Sequence, residues 1–178
     1  AVICSADPLR KEAKSAIEAL HACGISKVVM MTGDNRKTAQ AVAREVGVDQ
    51  FFAEVLPEDK ANFVRQEKAA GRKVIMIGDG VNDTPALSEA DVGIAINTGA
   101  AIAREIADVT IASEDLFELV TLRQLSQQLM RRIHRNYRFI VSFNCMLIAL
   151  GVAGVIQPTT SALLHNASTL GISLDSMT

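Results

Sequence analysis

Three short stretches carry residues that could handle a phosphoryl group. The first is GDGVNDTPAL, Gly78 to Leu87, which pairs two carboxylates, Asp79 and Asp83, with glycines that let the backbone turn sharply beside a ligand. Two acids would repel a phosphate unless a cation lay between them. Hard oxygen ligands of this kind suit magnesium, with phosphate completing the shell. A solvated Asp-Gly turn is the bland alternative. The second stretch is TGDN, Thr32 to Asn35, where a hydroxyl and open backbone N–H groups at a helix start make a phosphate-binding corner. An N-cap without a ligand is the alternative there. The third is Lys60 in PEDK, which alone reads as a surface lysine. Together the three supply a hydroxyl donor, a cation and carboxylates for magnesium, the set that phosphoryl transfer needs. A dinucleotide loop does not fit, because Asp83 stands where GxGxxG has its last glycine, and no P-loop lysine motif occurs.

Both acidic stretches follow short apolar runs, KVVMM (Lys27 to Met31) and KVIMI (Lys73 to Ile77). Helical spacing is expected from Arg10 to Cys23, from TGDN to Val46, from Pro57 to Ala70 and from GDGVND through Leu87, with Gly24, Gly47 and Gly71 as stop signals. FFAEV, VGIAI (Val92 to Ile96) and VTIA (Val109 to Ala112) are further short strands, with an Ala-rich helix between the last two. Apolar strands alternating with helices indicate an α/β fold with a parallel sheet covered on both faces. In such sheets ligands gather at the carboxyl ends of the strands, where TGDN and GDGVND fall.

The composition divides sharply. From Phe139 to Leu174 there is no Asp, Glu, Lys or Arg, a gap that a soluble domain of ordinary composition rarely leaves. A long amphipathic helix from Leu116 to Arg135 ends in Arg131, Arg132, His134 and Arg135. Residues 137–156 are expected to cross a bilayer as a helix of about 30 Å, with the basic cluster holding that end in the cytoplasm. Gln157-Pro158 breaks this helix, and a second membrane segment is expected over 159–178. There His165, Ser168 and Thr169 share a helix face, and an ionisable residue in a span marks an ion path unless it serves only packing. The net charge of -2 leaves no footprint for nucleic acid. Cys4, Cys23 and Cys145 show no pairing scheme and read as reduced thiols. His21 and His134 read as surface or interface residues. The sequence opens at Ala1 on a strand-like segment, so a piece of a longer protein is expected.

DPLR, TGDN, PEDK and GDGVNDTPAL, in this order and spacing, resemble the P-type ATPase pattern of the haloacid dehalogenase superfamily. Thr84 stands where that family usually has Ala. The resemblance implies a partial Rossmann-like sheet of haloacid dehalogenase type followed by C-terminal transmembrane helices. It assigns residues 1–115 to the rear of a phosphorylation domain and 116–136 to a linker helix. It further implies that Thr32 and Lys60 bind the phosphoryl group, that Gly33 and Asp34 shape the loop, and that Asp79 coordinates magnesium with Asn82 and Asp83 in support. The family's phosphorylated aspartate lies in DKTGT, and no such string occurs here. Asp7 in SADPLR matches a segment after the nucleotide-binding domain, not the nucleophile.

Asn136 and Asn144, eight residues apart, resemble the helix start of heavy-metal pumps. LLHNASTL resembles both the MxxSS stretch of copper pumps, with His165 for Met, and the HEGGT-type stretch of another subgroup, with Asn166 for Glu. Imidazole, amide and hydroxyl groups suit a divalent transition metal better than copper(I). Cys145 could add a ligand, but ordinary packing is its simpler role. By resemblance, the chain is expected to be part of an ATP-driven heavy-metal pump of the plasma membrane, using magnesium and ATP and working with the pump's other domains, the bilayer and a transported cation. A truncated inactive fragment and a membrane-anchored phosphatase of the same superfamily are the alternatives.

Overall fold

The computed structural model describes residues 11–78, 81–96, 105–112 and 115–177; Cys4, Asp7, Asp79, residues 97–104 of the stretch where the Ala-rich helix is expected, and Thr178 lie outside them. The chain forms two compact units, Ala1–Arg123 and Gln124–Thr178.

In the first unit strands and helices alternate: α1 (Ala13–Ala22), β1 (Val29–Met31), α2 (Arg36–Val46), β2 (Gln50–Phe52), α3 (Pro57–Ala69), β3 (Ile75–Gly78), a 3-10 turn (Val81–Asp83), α4 (Thr84–Glu89), β4 (Val92–Ile96) and β5 (Val109–Ile111). Every strand pairing is parallel, as fully apolar strands predict. The described strands make two sheets, however, β1-β2 and β3-β4-β5, rather than one. α1, α2 and α3 stop at or within two residues of their glycine signals, while α4 runs to Glu89, past the expected Leu87. Gly47 caps α2 with φ 78°, and Gly71 follows α3 with φ 80°, both in the left-handed region that glycine enters without strain.

Helices cover both faces of the three-stranded sheet. On one, Ala61 and Val64 of α3 and Ala86 and Leu87 of α4 pack on Met76 and Ala95. On the other, Ile94, Ile96 and Ile111 meet Leu119, with Leu20 of α1 alongside. Close approach sets this geometry: a Cβ on Gly93 would sit 2.8 Å from the Leu87 carbonyl oxygen, so only glycine lets α4 lie so near β4. β3 is the exception to full cover. Met76 is buried, while Ile75 and Ile77, on its opposite face, are 43% and 39% exposed.

The last two helices are α5 (Phe117–Val152) and α6 (Pro158–Met177). The expected linker and first membrane segment are therefore one continuous helix. It ends at Val152 rather than at 156, because Gly154 takes φ 72° and donates to the Gly151 carbonyl while Val155 donates to that of Leu150. This glycine cap acts before Pro158 can. The charge-free part of α5 is thus 139–152, about 21 Å long against the ~30 Å of a bilayer core. Among the described residues no helix is both long and apolar enough to cross a membrane.

Candidate functional site

The TGDN corner follows β1. Thr32 continues the pairing with β2 through its N–H, which donates to Phe52 O at 3.1 Å. Its hydroxyl donates to Asp34 Oδ2 at 2.8 Å and accepts from the Asp34 N–H at 3.1 Å, closing a tight side-chain turn. Asn35 then caps α2, accepting from the Thr38 N–H at 3.0 Å. Gly33 and Asp34 are exposed at the loop tip. A Cβ on Gly33 would meet only ordinary contact, 3.9 Å from Val55 O, so space alone does not demand glycine there.

Lys60 is placed by the start of α3. Pro57 occupies the first turn, where its missing N–H costs nothing, and Asp59 Oδ2 accepts from the Leu56 N–H at 3.1 Å. Just before it, Val55 N–H donates to Thr32 O at 3.0 Å and Glu54 N–H to Asp34 O at 2.9 Å. The helix start is therefore tied to the TGDN loop. From its first turn, Lys60 Nζ reaches Asp83 Oδ1 at 2.7 Å. A continuous run of hydrogen bonds and short chain thus joins Thr32, Lys60 and Asp83, which are far apart in sequence.

Asp83 is the buried charged residue of the described chain, at 7% exposure, and the Lys60 side chain keeps only 15%. Taking both charges out of water is costly unless they pair. One bond to Asp83 leaves the lysine ammonium two further donors. Space makes this pair possible, since a Cβ on Gly78 would fall 2.5 Å from Asp83 Cβ. Asn82 is exposed in the 3-10 turn beside Asp83. Thr84 Oγ1 is buried with no hydrogen-bond partner, at the position where the sequence departs from the usual Ala. Among the described residues no cluster of three acids, histidines or cysteines could hold a metal; magnesium asks for less, one or two carboxylates with phosphate and water.

Comparison with known proteins gives the family. Residues 1–91 match the haloacid dehalogenase-like hydrolase family. The chain belongs to that family. Among the curated relatives of this haloacid dehalogenase-like chain are copper-transporting ATPase 1 of Rhizobium meliloti (strain 1021), 46% identical over 164 residues (92% of this chain and 20% of the relative), and a manganese-exporting P-type ATPase of Mycobacterium leprae (strain TN), 42% identical over 167 residues (93% and 23%). A solved zinc-transporting PIB-type ATPase in its E2.Pi state superposes with a TM-score of 0.87 at 32% identity, covering 94% of this chain and 27% of that one. The chain spans about a fifth to a quarter of the length of the curated relatives it matches.

The expected ion-path residues lie in the second unit of this haloacid dehalogenase-like chain. His165 Nδ1 and Asn144 Oδ1 are 2.8 Å apart, linking α6 to α5. With the amide oxygen accepting, the ring nitrogen donates, and in the neutral ring this tautomer leaves the lone pair on Nε2. Ser168 and Thr169 both donate to the His165 carbonyl, at 2.8 and 3.0 Å. Their protons are thus turned back onto their own helix, as Ser and Thr within helices commonly do. Cys145 carries an exposed free thiol.

Sequence reasoning passed over one residue near the phosphate corner. Glu54 has φ 56°, a strained conformation for a side chain of its type, where the chain turns from β2 toward α3. No glycine or asparagine marks the spot. Around the scaffold, Asp91 is held below the usual carboxylate range by Lys73 and then by the Val74 N–H. Glu67 is held low chiefly by Arg72, with Lys27 adding to it.

Proposed function

We propose that this chain is part of an ATP-driven, heavy-metal-translocating P-type ATPase that works through an aspartyl-phosphate intermediate. The observation that carries the reading is the buried Lys60–Asp83 pair, tied through the start of α3 to the Thr32 corner. An ammonium with two unused donors, a hydroxyl and a carboxylate at neighbouring loop tips suit one phosphoryl group. Residues 1–115 form the rear of the phosphorylation domain, and 116–136 the linker helix. Thr32 and Lys60 hold phosphoryl oxygens, Asp34 keeps the Thr32 hydroxyl in place, and Gly33 leaves the loop tip open.

Asp79 and Asp83, with Asn82 beside them, are the residues that would hold magnesium. The oxygen donor set fits that ion, although Asp83 already shares one oxygen with Lys60, which makes Asp79 the principal ligand. Bound there, magnesium would neutralise charge on the phosphoryl oxygens. The DKTGT nucleophile and the nucleotide-binding domain belong to other parts of the protein, so this stretch by itself should not hydrolyse ATP.

The second unit is assigned to the plasma membrane, with residues 137–152 of α5 and the whole of α6 as helices of a larger bundle and the first unit in the cytoplasm. The reading rests on the metal-transporting and metal-exporting ATPases among its relatives and on large apolar side chains left in the open, such as Ile148 and Val152 at 66% and 85% exposure. Within the bundle, His165 Nε2, Asn144 and the hydroxyl oxygens of Ser168 and Thr169 are the ion-path groups, with Asn144 orienting the His165 ring. The relatives' names speak of copper, manganese and zinc; a nitrogen and oxygen set favours a divalent transition metal here.

Phosphoenzyme formation from ATP in the intact protein tests the reading. Asp79→Asn and Lys60→Met should each abolish the acid-stable phosphoenzyme, whereas His165→Ala should leave phosphorylation by inorganic phosphate intact and lower metal-stimulated turnover. Full phosphoenzyme in Asp79→Asn would remove the phosphoryl site. Normal turnover in His165→Ala would remove that residue from the ion path.

A further inference from the structure

We infer that the arginine face of α5 at Arg131, Arg132, Arg135 and Arg138 is a binding site for the phosphate of an anionic phospholipid headgroup. The inference rests on the membrane placement proposed above and adds a ligand to it. At 100° per residue, the four positions fall within about 120° of one another, so the guanidinium groups share one side of the helix. They line a concave space of about 700 Å³ together with Gln128 and His134.

The charge of Arg131, Arg132 and Arg138 is not answered by a neighbouring carboxylate. From Leu119 to Leu174 the sequence has no Asp or Glu. Among the described residues Arg131, Arg132 and Arg138 take part in no ion pair. Arg132 Nε is buried and has no acceptor. A buried donor of this kind calls for a partner, and a guanidinium fork matches the oxygens of phosphate.

The helix beyond the arginines decides between a free phosphate and a lipid. Tyr137, 64% exposed, lies between Arg135 and Arg138 in sequence, at the same height on the helix, and Phe139 stacks on Phe143 one turn further, centroids 5.8 Å apart. The charge-free run begins at the same point. Free phosphate needs only the donors; a ligand with an anionic head and an acyl tail would meet the arginines, the tyrosine at headgroup level and the apolar helix in that order.

The test uses the intact protein in phosphatidylcholine nanodiscs, with phosphatidylglycerol titrated in and bound lipid counted by native mass spectrometry. Each basic residue near a lipid surface is worth about fivefold in binding, so Arg131→Gln with Arg132→Gln should weaken phosphatidylglycerol retention on the order of 20-fold. Lysine at both positions should keep most of it, and Arg123→Gln should change nothing. Equal retention by wild type and the double glutamine variant, both inserted and equally heat-stable, overturns the lipid site and leaves the membrane placement standing. Displacement of the lipid by millimolar inorganic phosphate also overturns it, in favour of a free anion. If the wild-type protein washes off membranes in alkaline carbonate, the membrane placement falls and the lipid site with it.

Discussion

The two units of this chain distribute polar and apolar groups in opposite ways. In the first, Lys60 and Asp83 are drawn inside and paired, while Val64, Ala86 and Leu87 are almost wholly covered. In the second, Ile148, Val152 and Leu163 stand in the open at 66%, 85% and 69% exposure, and His165, Ser168 and Thr169 of α6 bond to Asn144 or to their own helix. A surface of the first kind suits water, apart from apolar side chains left open along β3 and at Leu56. The second kind expects other surroundings, whether lipid or further helices. Burial in the first unit therefore carries stability, and exposure in the second marks where something else must lie.

Substitutions can break that contrast. The largest effect is expected from Asp83→Ala, which strands a covered lysine charge and should cost about 3–5 kcal/mol in urea unfolding of this chain. Asp83→Ala with Lys60→Met should recover much of that loss while leaving the phosphoryl site dead. Leu87→Ala comes next, at about 2–5 kcal/mol for a filled core position. Its counterpart Ile148→Ala should change unfolding in detergent by less than about 0.5 kcal/mol. If the two cost the same, the contrast fails. Asn35→Ala removes the cap of α2 and should cost about 1 kcal/mol, read from the same urea midpoints.

Acid should sharpen the picture least. Glu67 and Asp91 both sit below their ordinary values in the folded chain, through Arg72 and Lys73 respectively. The unfolded chain then binds protons first, so their contribution is present above the unfolded values and fades as pH drops through the lower folded ones. A small loss of stability confined to below about pH 4 is expected from circular dichroism melts. A loss centred near pH 6 would point to histidine instead.

How far the sequence could be read depended on how local the cause was. VGIAI and VTIA became β4 and β5 because an apolar run between turn signals needs nothing else to be a buried strand, and Gly47 and Gly71 stopped their helices through their own dihedrals. KVIMI is equally apolar, yet Ile75 and Ile77 stay half exposed, because cover depends on what packs from elsewhere. The early end of α5 follows from Gly154, a signal that the nearby Pro158 overshadowed. TGDN, PEDK and GDGVND were legible as chemistry from residue type. The Lys60–Asp83 contact was not, since 23 residues separate the partners and only folding brings them together. Strain at Glu54 left no trace in composition.

The central claim is that the Thr32 corner, Lys60 and the GDGVND loop share one phosphoryl group. A structure of the intact protein with magnesium and aluminium fluoride addresses it most directly. The fluoride should lie about 3 Å from both Thr32 Oγ1 and Lys60 Nζ, with the cation on Asp79. A fluoride bound elsewhere, or touching only one of these loops, would contradict the account.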